Sequence, residues 1–149
     1  MHFCNVRSAI IIGEIMCEIK YTEEKIFTKE QVERLFLSVN WVSGKYPDKL
    51  FRALNNSSTV ITAWSGDELV GLVRVLDDGE MLAYLHYLLV RPDFQGRGIA
   101  GKLVELVKEK YKDFMYIELM PEDVKNVPFY EKFGFKIFEG GTPMIRCKG

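Results

Sequence analysis

The chain's apolar positions repeat with a helical period in some stretches and a strand period in others. Behind Thr28-Lys29-Glu30-Gln31, which has the form of a capping box, Val32, Leu35, Phe36 and Val39 recur at helical spacing, so a helix is predicted that ends near Asn40. Trp41 to Pro47 is rich in turn formers. Asp48 to Asn55 predicts a second short helix with Leu50, Phe51 and Leu54 facing inward. Thr59 to Trp64 and Glu68 to Leu76 then read as strands joined by Ser65-Gly66-Asp67, and Asp77-Asp78-Gly79 marks the next reversal before a long strand from Met81 to Val90. Short turns between three successive strands predict an antiparallel meander. Further on, Leu103, Leu106, Val107 and Tyr111 share one face of a helix over residues 98–111. Phe114 to Leu119 reads as a short buried strand, Val124 to Phe133 as a helix, and Phe135 to Phe138 with Pro143 to Arg146 as a closing antiparallel pair.

The start of the chain follows a different pattern. Met16 to Tyr21 makes a good first strand, so residues 16–149 are read as a single domain and residues 1–15 as an N-terminal extension. Gly13-Glu14 can be encoded by a GGAGA-like ribosome-binding sequence upstream of Met16, which makes Met16 a candidate natural start. The alternative is that Ile10 to Ile12 simply lengthen the strand.

Composition narrows the class. A chain of 149 residues, 48% hydrophobic and 13% aromatic, can bury one sizeable core and no more. A net charge of -1 supplies no global attraction to nucleic acid or to an anionic membrane, so neither is expected as a partner. Cys4, Cys17 and Cys147 lack metal-ligand spacing, and an odd count completes no disulfide framework, so no metal is expected and the thiols read as reduced and cytoplasmic. No apolar run reaches the length of a membrane span.

The chemistry is concentrated in one turn. After the apolar Leu88-Leu89-Val90, the run Arg91-Pro92-Asp93-Phe94-Gln95-Gly96-Arg97-Gly98-Ile99-Ala100-Gly101-Lys102 passes from strand through a glycine-rich loop into a helix. The first amides of a helix lack intrahelical partners and sit at the positive end of its dipole, and low side-chain bulk at Gly96, Gly98 and Gly101 would let an anion approach them. Arg97 adds a guanidinium suited to phosphate, and Lys102 a second positive charge. The same glycines would also serve a tight turn with no ligand.

This stretch resembles the acyl-coenzyme A loop of the GNAT acetyltransferase superfamily, whose pattern Gln/Arg-x-x-Gly-x-Gly/Ala falls on Gln95, Gly98 and Ala100. A second block of that family resembles Asn126-Val127-Pro128-Phe129-Tyr130-Glu131-Lys132-Phe133-Gly134-Phe135. The resemblance runs over about residues 17–146 and is weak before residue 60. It implies an α/β fold with a mixed, mostly antiparallel sheet of six to seven strands, about four helices, and a central parallel strand pair splayed at the cofactor cleft. It also implies acetyl-coenzyme A as co-substrate. Leu88 and Val90 would meet the pantetheine through their backbones. The amides of Gly96, Arg97, Gly98, Ile99, Ala100 and Gly101 would meet the pyrophosphate, and Asn126 would bond the cofactor unless it caps its helix. Pro128 stands where many relatives carry alanine, and it must fall in an early turn to leave the helix intact.

Roles in the reaction follow from the same resemblance. Tyr130 would donate a proton to the departing thiolate or stabilise it. His86 lies in Leu85-His86-Tyr87-Leu88-Leu89-Val90, which resembles a histidine-bearing strand of the arylalkylamine acetyltransferases, and its ordinary pKa suits a general base. Tyr84, on the same face, is the alternative as a water holder, and Glu118 is a weaker carboxylate candidate. Trp41 and Tyr46 are candidates to line the acceptor pocket, or they are packed core aromatics. The expected reaction is N-acetylation of a small-molecule primary amine by direct attack. A protein or peptide acetyltransferase and a non-catalytic acyl-coenzyme A sensor are the alternatives. Homodimers are common in that family, often through the final strands, so a homodimer is the assembly the resemblance allows.

Overall fold

The computed structural model describes residues 18–148. The N-terminal extension, the Ile10 to Ile12 alternative and the first two residues of the strand expected from Met16 to Tyr21 lie outside that range. Within it, a five-stranded sheet in the order β1-β2-β3-β4-β5 is built from β1 (Ile19–Thr22), β2 (Thr59–Ser65), β3 (Glu68–Asp77), β4 (Leu82–Val90) and β5 (Tyr116–Leu119). Pairing is antiparallel from β1 to β4 and parallel between β4 and β5. Helices α1 (Lys29–Ser38) and α2 (Pro47–Asn55) cover one face, and α3 (Ile99–Lys110) covers the other. A short α4 (Val127–Glu131) follows β5. No helix among the described residues is long and apolar enough to cross a membrane.

Local sequence explains most of these elements. Thr28 Oγ1 accepts from the Gln31 amide while Gln31 Oε1 accepts from the Thr28 amide, closing the predicted capping box at the start of α1. Gly66, at φ +59, turns β2 into β3. The sheet separates two apolar cores. Val73, Val75, Leu85 and Val90 pack with Ile99, Leu103 and Val107 of α3, whereas Leu72 and Leu89 pack with Phe36, Leu50 and Leu54 beneath α1 and α2. At the far end of α3, the buried Tyr111 hydroxyl donates to Asp77 Oδ2 at 2.7 Å and so accepts from Thr59 Oγ1 at 2.6 Å.

Three expectations are corrected. The sheet has five strands rather than six to seven, because 135–138 and 143–146 form no ladder; Ile137, Phe138, Met144 and Ile145 are 67%, 82%, 92% and 80% exposed. A two-stranded hairpin is marginal without a surface to pack on. Adjacent Ile137 and Phe138 also break the alternation that would give one apolar face. β5 is a half-exposed edge strand rather than a buried one, with Tyr116 51% exposed. The helix expected over Val124 to Phe133 is a 3-10 turn at Val124–Asn126 followed by α4, with Pro128 in its first turn as its lack of an amide hydrogen requires. It stops early because Phe133 bonds back to the Tyr130 carbonyl and Gly134 turns to φ +87.

Candidate active site

The site begins where two strands part. β4 and β5 are paired from Leu82↔Tyr116 to Leu85↔Leu119, and no ladder continues beyond. A register shift in the β3–β4 pairing follows at once: Arg74 faces Tyr87 while Val75 faces Leu85, so His86 is the extra residue of a bulge. The Arg91 amide donates to the Val70 carbonyl of β3. By strand alternation, the backbone groups of Leu88 and Val90 therefore point away from β3, into the gap that β5 has left. A bulge and an early end to pairing open the sheet on one side only.

The gap leads into a cleft of about 410 Å³ lined by Val39, Trp41, Leu88, Leu89, Val90, Gln95, Ala100, Asn126, Phe129 and Tyr130. Seven of the residues singled out from the sequence thus share one concavity: Trp41, Leu88, Val90, Gln95, Ala100, Asn126 and Tyr130. They come from the α1–α2 link, from β4, from the glycine loop and α3, and from the start of α4. Gln95 has a structural tie as well, because its Nε2 donates to the Val90 carbonyl at 3.0 Å and straps the loop to the end of β4. Asn126 makes no side-chain capping bond, so its amide is not spent on α4.

Beside the cleft, Gly96 and Gly98 both adopt φ +79, and a Cβ at either would meet nothing within 4 Å. Open space in front of two left-handed glycines is what a bulky ligand needs. Among the described residues, the amides of Gly96 through Gly101 find no protein acceptor. Arg97 stacks its guanidinium 4.7 Å from the Phe94 ring, and Lys102 is exposed on the first turn of α3. These groups suit an extended anion with a polar amide tail, as coenzyme A is. Two residues of the run do other work. Ile99 is a core side chain, 2% exposed, and a Cβ on Gly101 would meet Phe133 Cζ at 3.0 Å, so that glycine lets the turn after α4 pack on α3.

Tyr130 is half-buried, with its ring edge-on to Phe129 at 5.0 Å and Phe135 at 6.1 Å. Burial, and then the negative charge of Glu122, push its phenol up to about 12. No protein group among the described residues bonds its hydroxyl, which is therefore a protonated donor available to a ligand.

Other predicted residues lie outside the cleft lining. Tyr46 is 60% exposed at the start of α2. Tyr84 lies with its ring 6.3 Å from that of His86, and Glu118 is exposed on the edge strand. His86 packs 4.3 Å from Tyr87 and accepts through Nδ1 from Arg74 Nη1 at 2.9 Å. An arginine can only donate, so in the neutral ring the proton sits on Nε2. Partial burial, and then the charge of Arg74, lower the His86 pKa below its usual 6.5. Tyr87 is the residue that sequence reasoning missed. It bonds Ser43 at 2.8 Å and packs on Phe36 at 4.9 Å and Trp41 at 5.8 Å, anchoring the α1–α2 link over the cleft. Only the bulge, which turns two consecutive β4 side chains to one face, gives it that place.

A parallel pair opened at a bulge, a glycine loop entering a helix and a phenol at the cleft make a site suited to an acyl-coenzyme A ligand. The model for the acetyltransferase (GNAT) family matches residues 21–135. The uncharacterized N-acetyltransferase ycf52 of Pyropia yezoensis is 32% identical over 145 residues, covering 88% of this chain and 80% of that protein. Its counterpart in Porphyra purpurea is 37% identical over 114 residues, covering 70% and 63%. A GNAT family acetyltransferase structure from Streptococcus pneumoniae TIGR4 superposes with a TM-score of 0.76 at 30% identity, covering 88% of this chain and 98% of that one. The chain belongs to the GNAT acetyltransferase family and is an acetyl-coenzyme A-dependent acyltransferase.

Proposed function

We propose that the protein transfers an acetyl group from acetyl-coenzyme A directly to the primary amine of a small molecule. The observation that carries this reading is the parting of β4 from β5 after Leu85, which opens backbone groups of Leu88 and Val90 onto the same cleft as Tyr130. When bound, acetyl-coenzyme A would supply an acetyl group activated as a thioester, and attack by the amine would break the C–S bond and release a thiolate. The amides from Gly96 to Gly101 and the side chains of Arg97 and Lys102 would hold the pyrophosphate, while Asn126 and the β4 backbone would orient the amide tail. Burial pushes the Tyr130 phenol up to about 12, so it stays protonated at neutral pH and donates a proton to the departing thiolate or stabilises it by a hydrogen bond.

The amine must lose a proton. His86 acts as the base only after Arg74 leaves Nδ1, since both ring nitrogens are otherwise committed. Tyr84 is the alternative, holding a water that carries the proton away. Trp41 forms the acceptor wall. Direct attack is favoured over a cysteine-bound acyl intermediate because Cys147, the cysteine among the described residues, is exposed in the tail and outside the cleft lining, and neither Cys4 nor Cys17 lies near either family motif in sequence.

Calorimetry with acetyl-coenzyme A, followed by thiol release against a panel of amines and peptides, tests the proposal. Binding with release on small amines supports it. Release with peptides alone would transfer the reading to a protein acetyltransferase, and binding without release on any acceptor would leave a sensor.

A further inference from the structure

We propose that Arg74 is an oxyanion subsite, and that the acceptor is an amine bearing a carboxylate or phosphate group. This rests on the transferase reading above. Arg74 projects from β3 onto the face covered by α1 and α2, where it is half-buried. Nε donates to Ser57 Oγ at 2.8 Å and Nη1 to His86 Nδ1 at 2.9 Å. Both partners are neutral. Of the five N–H donors of a guanidinium, three remain without a protein acceptor among the described residues, and they include a terminal pair of the kind that grips a carboxylate or phosphate side by side.

A half-buried cation without an acid partner is unusual, because removing a charge from water is costly unless it is paired. No carboxylate among the described residues lies within ion-pair distance of Arg74. Arg91, by contrast, pairs with both Glu68 and Asp93. Burial lowers the pKa of Arg74, and the Tyr87 phenol offsets only part of that. Ser57 offsets part of it by donating to the Ala53 carbonyl at 2.6 Å, which links Nε to the negative end of α2. That structural tie uses one donor of five and leaves the outer edge of the guanidinium unspent.

Position makes this edge an acceptor subsite. The Tyr87 ring is the common neighbour of Trp41, at 5.8 Å, and of Arg74, at 5.3 Å. Trp41 lines the cleft. The Tyr87 ring thus joins the cleft wall at Trp41 to the Arg74 cation, which lies just beyond the cleft lining with His86 and Tyr84 alongside, and a small molecule with an amine at one end and an oxyanion at the other matches that polarity.

Two readouts on the full chain test this. The first compares kcat/KM for matched acceptors, O-phosphoethanolamine against ethanolamine and β-alanine against propylamine, in wild type and Arg74→Gln. The expected result is a preference of about 10- to 100-fold for at least one anionic member, abolished in Arg74→Gln, with the acetyl-coenzyme A Kd unchanged. Whichever pair carries the preference identifies phosphate or carboxylate. The second readout needs neither turnover nor a variant at Arg74. The chain has two histidines, His2 and His86, so the His86 ring signal is assigned with His86→Gln and titrated by NMR with coenzyme A present. Saturating O-phosphoethanolamine or β-alanine should raise the His86 midpoint, because the bound anion offsets the Arg74 charge that lowers it. An unmoved midpoint, together with equal kcat/KM within both pairs, overturns the subsite while leaving the transferase intact. If no amine gives thiol release, the transferase reading is removed, and the midpoint alone then decides whether the oxyanion site exists.

Discussion

Two tyrosines at opposite ends of the β4–β5 seam show how one side chain serves two purposes. Tyr111, at the closed end, is buried, and its hydroxyl is fully engaged between Thr59 and Asp77. Tyr130, at the open end, is half-buried and lines the cleft, and no protein group among the described residues bonds its hydroxyl. Burial raises both phenols above their ordinary value. The difference lies in the neighbours. Where the strands pair, the phenol spends its hydroxyl on tying α3 to the sheet; where they part, the phenol keeps a donor in reserve for a charge that forms only during reaction.

The sharpest way to break this comparison is at the open end. Tyr130→Phe should lower kcat by about 10²- to 10³-fold while the acetyl-coenzyme A Kd stays within about threefold, as measured by thiol release and calorimetry. Equal losses in both would make Tyr130 a packing residue like Tyr111. At the closed end, Tyr111→Phe should cost about 1–3 kcal/mol of unfolding free energy, because it strands Thr59 and Asp77, and should leave kcat untouched. Urea unfolding of the two variants side by side decides whether the roles are separate.

Smaller effects refine the picture. Gly98→Val places a β-branched residue at φ +79 and bulk into the open space before the loop, so acetyl-coenzyme A affinity should weaken by about tenfold or more. The smallest expected effect is a pH dependence. His86 binds protons less readily in the folded chain than in the unfolded one, so its stabilising effect is complete above pH 6.5 and declines as pH falls below that value toward the lowered folded pKa. Thermal melts from pH 7.5 to 5 should therefore slope less in His86→Gln than in wild type, and parallel slopes would remove the linkage.

Much of this was legible in the residues. The capping box at Thr28, the Gly66 hairpin, the helical stripe of Leu103, Val107 and Tyr111 and the glycine loop are all local signals, in which a residue's own conformational preference or a three-residue spacing specifies the geometry. Resemblance to the two family motifs singled out Leu88, Val90, Gln95, Asn126 and Tyr130, which line one cleft. What local signals could not specify were matters of partnership. The last two apolar runs have strand composition and yet form no strand, since a strand needs a neighbour to pair with and β5 offers only a half-covered edge. Tyr46 and Trp41 were alike as aromatics in a turn, but only Trp41 meets Tyr87 and reaches the cleft. Gln95 is strapped to Val90 and His86 is tied to Arg74, twelve residues away across a bulge, and both bonds exist only once β3 and β4 are in register. The sequence by itself determined the elements and the loop chemistry, because those depend on neighbours along the chain. The tertiary structure alone decided where the sheet opens, which phenol is left with a free donor and which cation is left without an acid, because each depends on pairing and burial between residues far apart in sequence.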